Sequence, residues 1–337
     1  ASCSGLQKID LTKFNTASAT SLMGMFADCT GIGSAGFGAD FAINFGSTDN
    51  FNTANVLDMS HMFNGCKNLE NATLTGFNTT KVGFMNSMFA NCDALASVGG
   101  DNTYKLNLGD KFVEHVANLQ AMFRYCDNLE KVDLSKFNLS GTADISYMFA
   151  DCPKLASAGV GTGFALNFGE NVNTSKVSNM SGLFYNDSAL TFVDLSKLST
   201  ESVTNMYQMF YGCTNLGTIG TSTTSGLVVA KDFGLPTADD ATNEMSEMFY
   251  GCSGLQTANL SNFNTSKVTN MARMFAGCSG FATAGTGDTF TLNFGANFDT
   301  SKVESFYGMF SNCSKLSTIN LTNFSTQSAN YIVVANH

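Results

Sequence analysis

Ten cysteines fall on a fixed spacing, and that spacing limits what the chain can fold into. They stand at Cys3, Cys29, Cys66, Cys92, Cys126, Cys152, Cys213, Cys252, Cys278 and Cys313. Asp187 occupies the one slot where a cysteine is due, and the successive intervals are then 26, 37, 26, 34, 26, 35, 26, 39, 26 and 35. Short and long units alternate without exception, so the period is a pair of units 60 to 65 residues long. A period of this size marks a solenoid, in which each unit buries its apolar face only against its neighbours. The pattern predicts one continuous repeat solenoid over 1–337 with about eleven coils, itself a segment or subunit of a larger assembly.

Counting from the cysteine, the short unit reads Leu-x-x-Φ-x-Leu. Position +3 is Leu6, Leu69, Leu129, Leu190, Leu255 and Leu316, and position +8 is Leu11, Leu74, Leu134, Leu195, Leu260 and Leu321. Position +6, two residues earlier, is Ile9, Ala72, Val132, Val193, Ala258 or Ile319. Apolar residues two apart are the signature of a half-buried strand. Position +11 is Phe in five copies and Leu198 in the sixth, followed by a polar group such as Asn264-Thr265-Ser266. The period then changes: Val268, Met271, Met274, Phe275 and Cys278 fall on one face of a helix. Thr265 or Ser266 would be its N-cap. Each coil therefore reads as a short strand, a polar turn and a short helix that ends near the cysteine.

The long units keep this frame and add about ten residues after position +7, which is Gly36, Gly99, Gly159, Gly220 or Gly285. A glycine recurring there suggests a positive φ where the chain leaves the coil. The insertion returns through Ile43-Asn44-Phe45-Gly46, Leu106-Asn107-Leu108-Gly109, Leu166-Asn167-Phe168-Gly169 and Leu292-Asn293-Phe294-Gly295, with a degenerate fourth copy from Val229 to Gly234. The expectation is a β-rich lobe projecting from every second coil. The fold class expected is an α/β, leucine-rich-repeat-like solenoid of parallel strands and short helices, enlarged at every second coil.

The run Leu-x-x-Φ-x-Leu-Ser-x-Phe-Asn-Thr-Ser-x-Val-x-x-Met-x-x-Met-Phe-x-x-Cys at 255–278 resembles the 26-residue repeat of BspA-type leucine-rich-repeat bacterial surface proteins. The resemblance extends from Cys3 to about Thr326, and the chain departs from the family in lengthening every second unit. It implies a secreted or wall-attached location and, as in some members, adhesion to host proteins or to other cells. It implies no catalytic residue.

Three readings of the cysteine column stand: a ladder of small buried thiols, which is favoured, disulfides between adjacent coils, and a metal site, which is weakest because no Cys-x-x-Cys or nearby His completes a ligand set. Asp187 in the column would be costly if buried without partners. The column Thr16, Thr53, Thr79, Thr174, Thr200, Thr265 and Thr300 could suggest an ice-binding array, but helix capping explains it more simply. Gly31-Ile32-Gly33-Ser34-Ala35-Gly36 matches a dinucleotide fingerprint in letters only, because it opens no βαβ unit. His61, His115 and His337 each stand alone, and Asp239-Asp240 reads as a solvated loop rather than a cation site.

Charged residues are 13% of the chain and the net charge is −10, which argues against nucleic acid or an anionic membrane as partner. No apolar run approaches a spanning helix, and no charged-then-apolar leader opens the chain. No nucleophile, base and oxyanion donor can be assembled, so no enzyme, cofactor, metal or catalytic residue is expected. Two functions remain. One is an extracellular, cell-surface protein that presents its repeat surface for adhesion or recognition of proteins, glycans or cells, with the lobes as the first place to look. The other is a structural subunit of a filament, sheath or surface layer stacking end to end. If Ala1 of one copy followed His337 of another, the cysteine spacing across the joint would be 27, within one residue of the repeat.

Overall fold

The computed structural model describes residues 3–109, 112, 116–220, 226–235 and 244–333. His115, His337 and Asp239-Asp240 lie outside them. The chain divides into two compact units, 1–155 with 161–173, and 156–160 with 174–337. Each is a stack of coils held by a parallel sheet.

In the first unit the strands lie in the order Ile9–Asp10, Ile43–Asn44, Ser34–Gly36, Asn71–Thr73, Leu106–Asn107, Ser97–Gly99, Lys131–Asp133, Leu166–Asn167. The second has Ser157–Gly159, Phe192–Leu195, Gly226–Val229, Thr218–Gly220, Thr257–Asn259, Leu292–Asn293, Thr283–Gly285, Thr318–Ile319. A separate parallel pair joins Phe233–Gly234 to Phe263–Asn264. The expected Leu-x-x-Φ-x-Leu strands form where the spacing put them. Ala72 and Leu74, or Val132 and Leu134, point inward and are buried.

The insertions do not project as lobes. In the first, second, fourth and fifth long repeats the insertion returns as a second short strand that enters the same sheet, parallel to the strand it has just left: Ala35 pairs with Ile43 and Gly36 with Asn44, and Val98 pairs with Leu106 and Gly99 with Asn107. The inserted strand lies between its own coil and the preceding one, as Ile9 pairs with Ile43 and Val132 with Leu166. A backbone that has left the coil carries unpaired N–H and C=O groups, and joining the sheet satisfies them.

The short helices are also absent. Among the described residues the helical element is a single 3-10 turn, Leu139–Gly141. The Met-x-x-Met-Phe-x-x-Cys segment is instead a run of tight turns laddered onto the next coil. The N–H groups of Met59, His61, Phe63 and Gly65 donate to the carbonyls of Phe84, Asn86, Met88 and Ala90 at 2.8–3.0 Å. The alternate residues Met62, Asn64 and Cys66 donate three residues back within their own coil, to Met59, His61 and Phe63, at 3.1–3.3 Å. Every second residue thus bonds between coils, and a three-residue spacing of side chains still points inward. A left-handed residue recurs five and one positions before each cysteine slot: His61 (φ 57°) and Gly65 (φ 75°), Ser87 (φ 55°) and Asn91 (φ 57°), Ala121 (φ 54°) and Tyr125 (φ 60°), and so on. An α-helix cannot continue through such residues.

The turn segments place Val, Met, Phe and Cys in interior columns. Phe63, Phe89, Phe123 and Phe149 stack in the first unit with centroids 5.4–5.9 Å apart. Phe184, Phe210, Phe249, Phe275 and Phe310 do so in the second, at 5.6–6.0 Å. Burying each ring contributes about 1.5–3 kcal/mol. The threonine column is buried too, so it neither forms an exposed array nor caps helices. The hydroxyls of Thr16, Thr53, Thr79, Thr174, Thr265 and Thr300 donate to carbonyls of the next coil, for instance Thr79 to Phe112 at 2.7 Å and Thr265 to Asp299 at 2.7 Å. The preceding Asn or Asp makes the local turn, as Asn78 accepts from the Thr80 N–H.

The cysteines are free thiols, nine of them buried. From Cys66 onward each donates its S–H to the carbonyl of the phenylalanine of the previous coil, Cys66 to Phe26, Cys92 to Phe63 and so through Cys313 to Phe275, at 3.0–3.3 Å. That carbonyl also takes the N–H three residues along its own chain. Asp187 fills the cysteine slot and is fully buried. Burial pushes the thiols of Cys66, Cys126 and Cys252 up to about 12 and that of Cys313 to about 11. Cys92, Cys213 and Cys278 are raised well above the ordinary value.

Ala121→Gly relieves a left-handed alanine and is expected to raise stability by about 0.5–1 kcal/mol, whereas Ala121→Val lowers it by about 1–2 kcal/mol; urea midpoints read both. Ellman's reagent is expected to react with Cys3 in the native chain and with all ten thiols only after unfolding. Because the folded thiols titrate higher than unfolded ones, their contribution is intact below pH 9 and falls as pH rises from there toward 12, which unfolding measured at pH 8, 9.5 and 10.5 checks.

Candidate recognition surface

Along each strand, positions +6 and +8 face the core, and +5 and +7 face out. The outward +7 column is Asp10, Thr73 and Asp133 in the first unit and Asp194, Asn259 and Asn320 in the second, alternating with the glycines of the long repeats. Gly220 has the expected positive φ (154°), but three of the others are not there for one. Gly36, Gly99 and Gly285 have none, and each instead carries an aromatic ring from its own insertion five residues on. A Cβ at Gly36 or Gly285 would lie 2.5 or 2.6 Å from the ring of Phe41 or Phe290, and one at Gly99 would collide with Tyr104. The rings of Phe41, Tyr104 and Phe290 are half-exposed, and Phe164 holds the same place in the third repeat. The fourth has Ser225, outside the described residues.

In the first, third and fifth long repeats the asparagine of the return strand fastens the loop beneath its ring. Asn44 Oδ1 accepts the N–H of Gly46 at 2.9 Å and of Gly38 at 3.1 Å, Asn167 those of Gly169 and Gly161, and Asn293 those of Gly295 and Gly287. These asparagines are buried, so the loop is built rather than loose. The Tyr104 hydroxyl donates to Asp133 Oδ2 at 3.2 Å, and the Lys131 ammonium stands 5.2 Å from the ring centre. Burial first and the Asp133 charge second push the Tyr104 hydroxyl up to about 12. Beside the first ring, a shallow depression of about 380 Å³ is lined by Thr12, Gly38, Asn44 and Asn50 among others.

A second aromatic feature lies on the turn face of the second unit, two residues before successive cysteine slots. Tyr185, Tyr211 and Tyr250 stack with centroids 4.6 and 4.7 Å apart. Burial and the flanking tyrosines raise the Tyr211 hydroxyl. In the first unit Arg124 lies over Tyr125 and Tyr147 at 4.6 and 5.0 Å and pairs with Asp151 at 3.3 Å. Sequence reading missed both, although the cysteine register would have aligned the tyrosines. Near the end of the second unit, Glu244, Asn270 and Glu304 line a groove of about 220 Å³.

The remaining motifs gather no chemistry. His61 sits between the amides of Asn64 and Asn86. Gly31–Gly36 leads into a strand of the sheet, and a Cβ at Gly31 would press on the Leu6 carbonyl, 2.6 Å away. Among the described residues no group of three or more His, Cys, Asp or Glu is placed to hold a metal, and no helix is long and apolar enough to cross a membrane.

The chain is similar over 97% of its length to a leucine-rich repeat protein from Bacteroides ovatus, at 16% identity and a TM-score of 0.43, covering 83% of that chain. An internalin from Listeria monocytogenes matches 78% of this chain and 70% of its own, at 16% identity and a TM-score of 0.26. A leucine-rich cell surface protein from Faecalibacterium prausnitzii matches 87% and 88%, at 14% identity and a TM-score of 0.24. No curated protein sequence matches the chain. The family model described as "Mycoplasma protein of unknown function, DUF285" matches residues 2–98, 32–161, 162–223 and 239–333. The chain therefore belongs to the DUF285 family, a repeat family of the BspA-type leucine-rich-repeat kind.

Proposed function

We propose that this chain is a non-enzymatic recognition module of an extracellular surface, its repeat array over 1–337 acting together to bind protein or glycan ligands. The observation that carries the reading is the repeated insertion. Every long repeat returns a strand to the sheet and, where the loop geometry is described, lays an aromatic ring on the outward face above a glycine. A scaffold that needed only to stack would have no use for five such insertions, each of which orders about ten extra residues at an entropic cost. Extended repeat faces bind through many modest contacts, which suits this arrangement. The repeat count of eleven coils and the surface location rest on the cysteine register and the family kind.

Adhesion of the purified chain to intact cells and their matrix, read by surface capture at micromolar concentration, tests the reading. Outward substitutions on the sheet face, Lys131→Glu with Thr257→Glu and Thr318→Glu, are expected to weaken capture at least tenfold. Gln120→Glu with Tyr307→Glu on the turn face is expected to leave it unchanged. Loss by the turn-face set alone, or no capture by the wild type, would overturn the reading. Growth into fibres with concentration in sedimentation would instead favour end-to-end assembly, the alternative read from the terminal cysteine spacing.

A further inference from the structure

We infer that the ring-bearing loops are stacking platforms for neutral hexose oligosaccharides, one platform for each long repeat that carries an aromatic residue. The inference rests on the sheet-face reading above and names its ligand class. Three observations support it. First, Phe41, Tyr104 and Phe290 each lie against a glycine that any side chain would displace, so one ring face is sealed by backbone and the ring is held flat on the sheet. A flat, half-exposed aromatic face suits the C–H face of a pyranose, because the ring carries negative charge density on its face and the sugar presents weakly positive C–H groups. Second, the outward strand positions beside each ring carry hydrogen-bonding groups. In strand register Gly36, Gly99 and Gly285 fall opposite Thr73, Asp133 and Asn320, one strand away at ~4.8 Å. Tyr104 adds its hydroxyl, and the exposed Lys131 ammonium stands beside it. A protein hot spot needs a contiguous apolar centre that excludes water, and single rings beside polar strand positions do not make one.

Third, charge selects against acidic ligands. Asp40, Asp101 and Asp288 sit on the same loops as Phe41, Tyr104 and Phe290, and the chain carries a net charge of −10. That balance disfavours sulfated or sialylated chains over the array as a whole, the Lys131 ammonium beside Tyr104 notwithstanding, and favours neutral sugars. The platforms recur at every second coil, with Phe41 and Tyr104 both in the first unit, so a polymeric ligand can occupy more than one and gain by avidity what a single ring lacks.

The test uses the intact chain and four probes, cellohexaose, maltohexaose, mannohexaose and heparin, by isothermal titration calorimetry and saturation-transfer NMR. At least one neutral hexasaccharide is expected to bind with a Kd of about 1 mM or tighter, with little dependence on salt, and heparin not to bind. The variant carrying Phe41→Leu, Tyr104→Leu, Phe164→Leu and Phe290→Leu keeps apolar volume but lacks the flat face. It is expected to lose at least tenfold in affinity with an unchanged urea midpoint. If that variant unfolds, Tyr104→Leu alone, read by loss of the tyrosine saturation-transfer signal with the sugar, serves in its place. Equal binding by the folded leucine variant, tighter binding of heparin, or no binding of any neutral probe by the wild type overturns the inference. Continued capture of cells by the wild type in that last case would show that the sheet-face reading stands while its ligand class is wrong.

Discussion

Each coil of this chain depends on its neighbour for hydrogen bonds, and the rest of the structure follows from that constraint. A coil that turned its backbone inward on itself, as a helix does, would stack only through side chains. Here alternate N–H groups of the turn segment, such as those of Met59, His61, Phe63 and Gly65, reach the next coil instead. The chain can do this because a left-handed residue interrupts every run of turn residues before a helix can propagate. The sheet on the other side obeys the same rule, since parallel strands pair only between coils. Backbone satisfaction is thereby collective, and an isolated coil would leave most of these groups unpaired.

Side chains extend the rule into the core. The threonine hydroxyls and the cysteine thiols both end on carbonyls of an adjacent coil. A valine in either column would fill space but would lose that bond. The net worth of one such bond is modest, about 0.5–1.5 kcal/mol for ordinary pairs, and its effect comes from repetition. Holding the thiols reduced and high in pKa also keeps the cysteine column chemically inert.

Much of this was legible in the residues. Regular cysteines gave the coil and Leu-x-x-Φ-x-Leu gave the strand, whereas the insertion, expected as a projecting lobe, is a further strand of the sheet. The helices were a misreading with a physical cause. Val268, Met271, Met274 and Cys278 share one face of an α-helix, but a run of tight turns also buries every third residue, so spacing alone does not separate the two. The distinguishing signal was composition at one position. The residue before the cysteine slot is Gly, Asn or Asp in nine of ten coils, as in Gly65, Asn91 and Asp151, with Tyr125 the exception, and these types accept a positive φ most readily. Gly36 and Gly99 were assigned to turn geometry when their role is to make room for Phe41 and Tyr104, a contact that depends on loop packing and leaves no local trace. The tyrosine stack was hidden because its rings are 26 and 39 residues apart and meet only once the coils stack.

Recognition by such a surface requires that the loops hold their rings in place, and the buried asparagines and the sheet beneath them do so only if the coils are built as described. Far-UV circular dichroism of the purified chain tests that construction most directly. The result expected is a sheet-and-turn spectrum with no helical double minimum, unchanged in shape until the whole chain unfolds. A helical signal of the size that a short helix in every coil would give, on the order of a third of the chain, would contradict it.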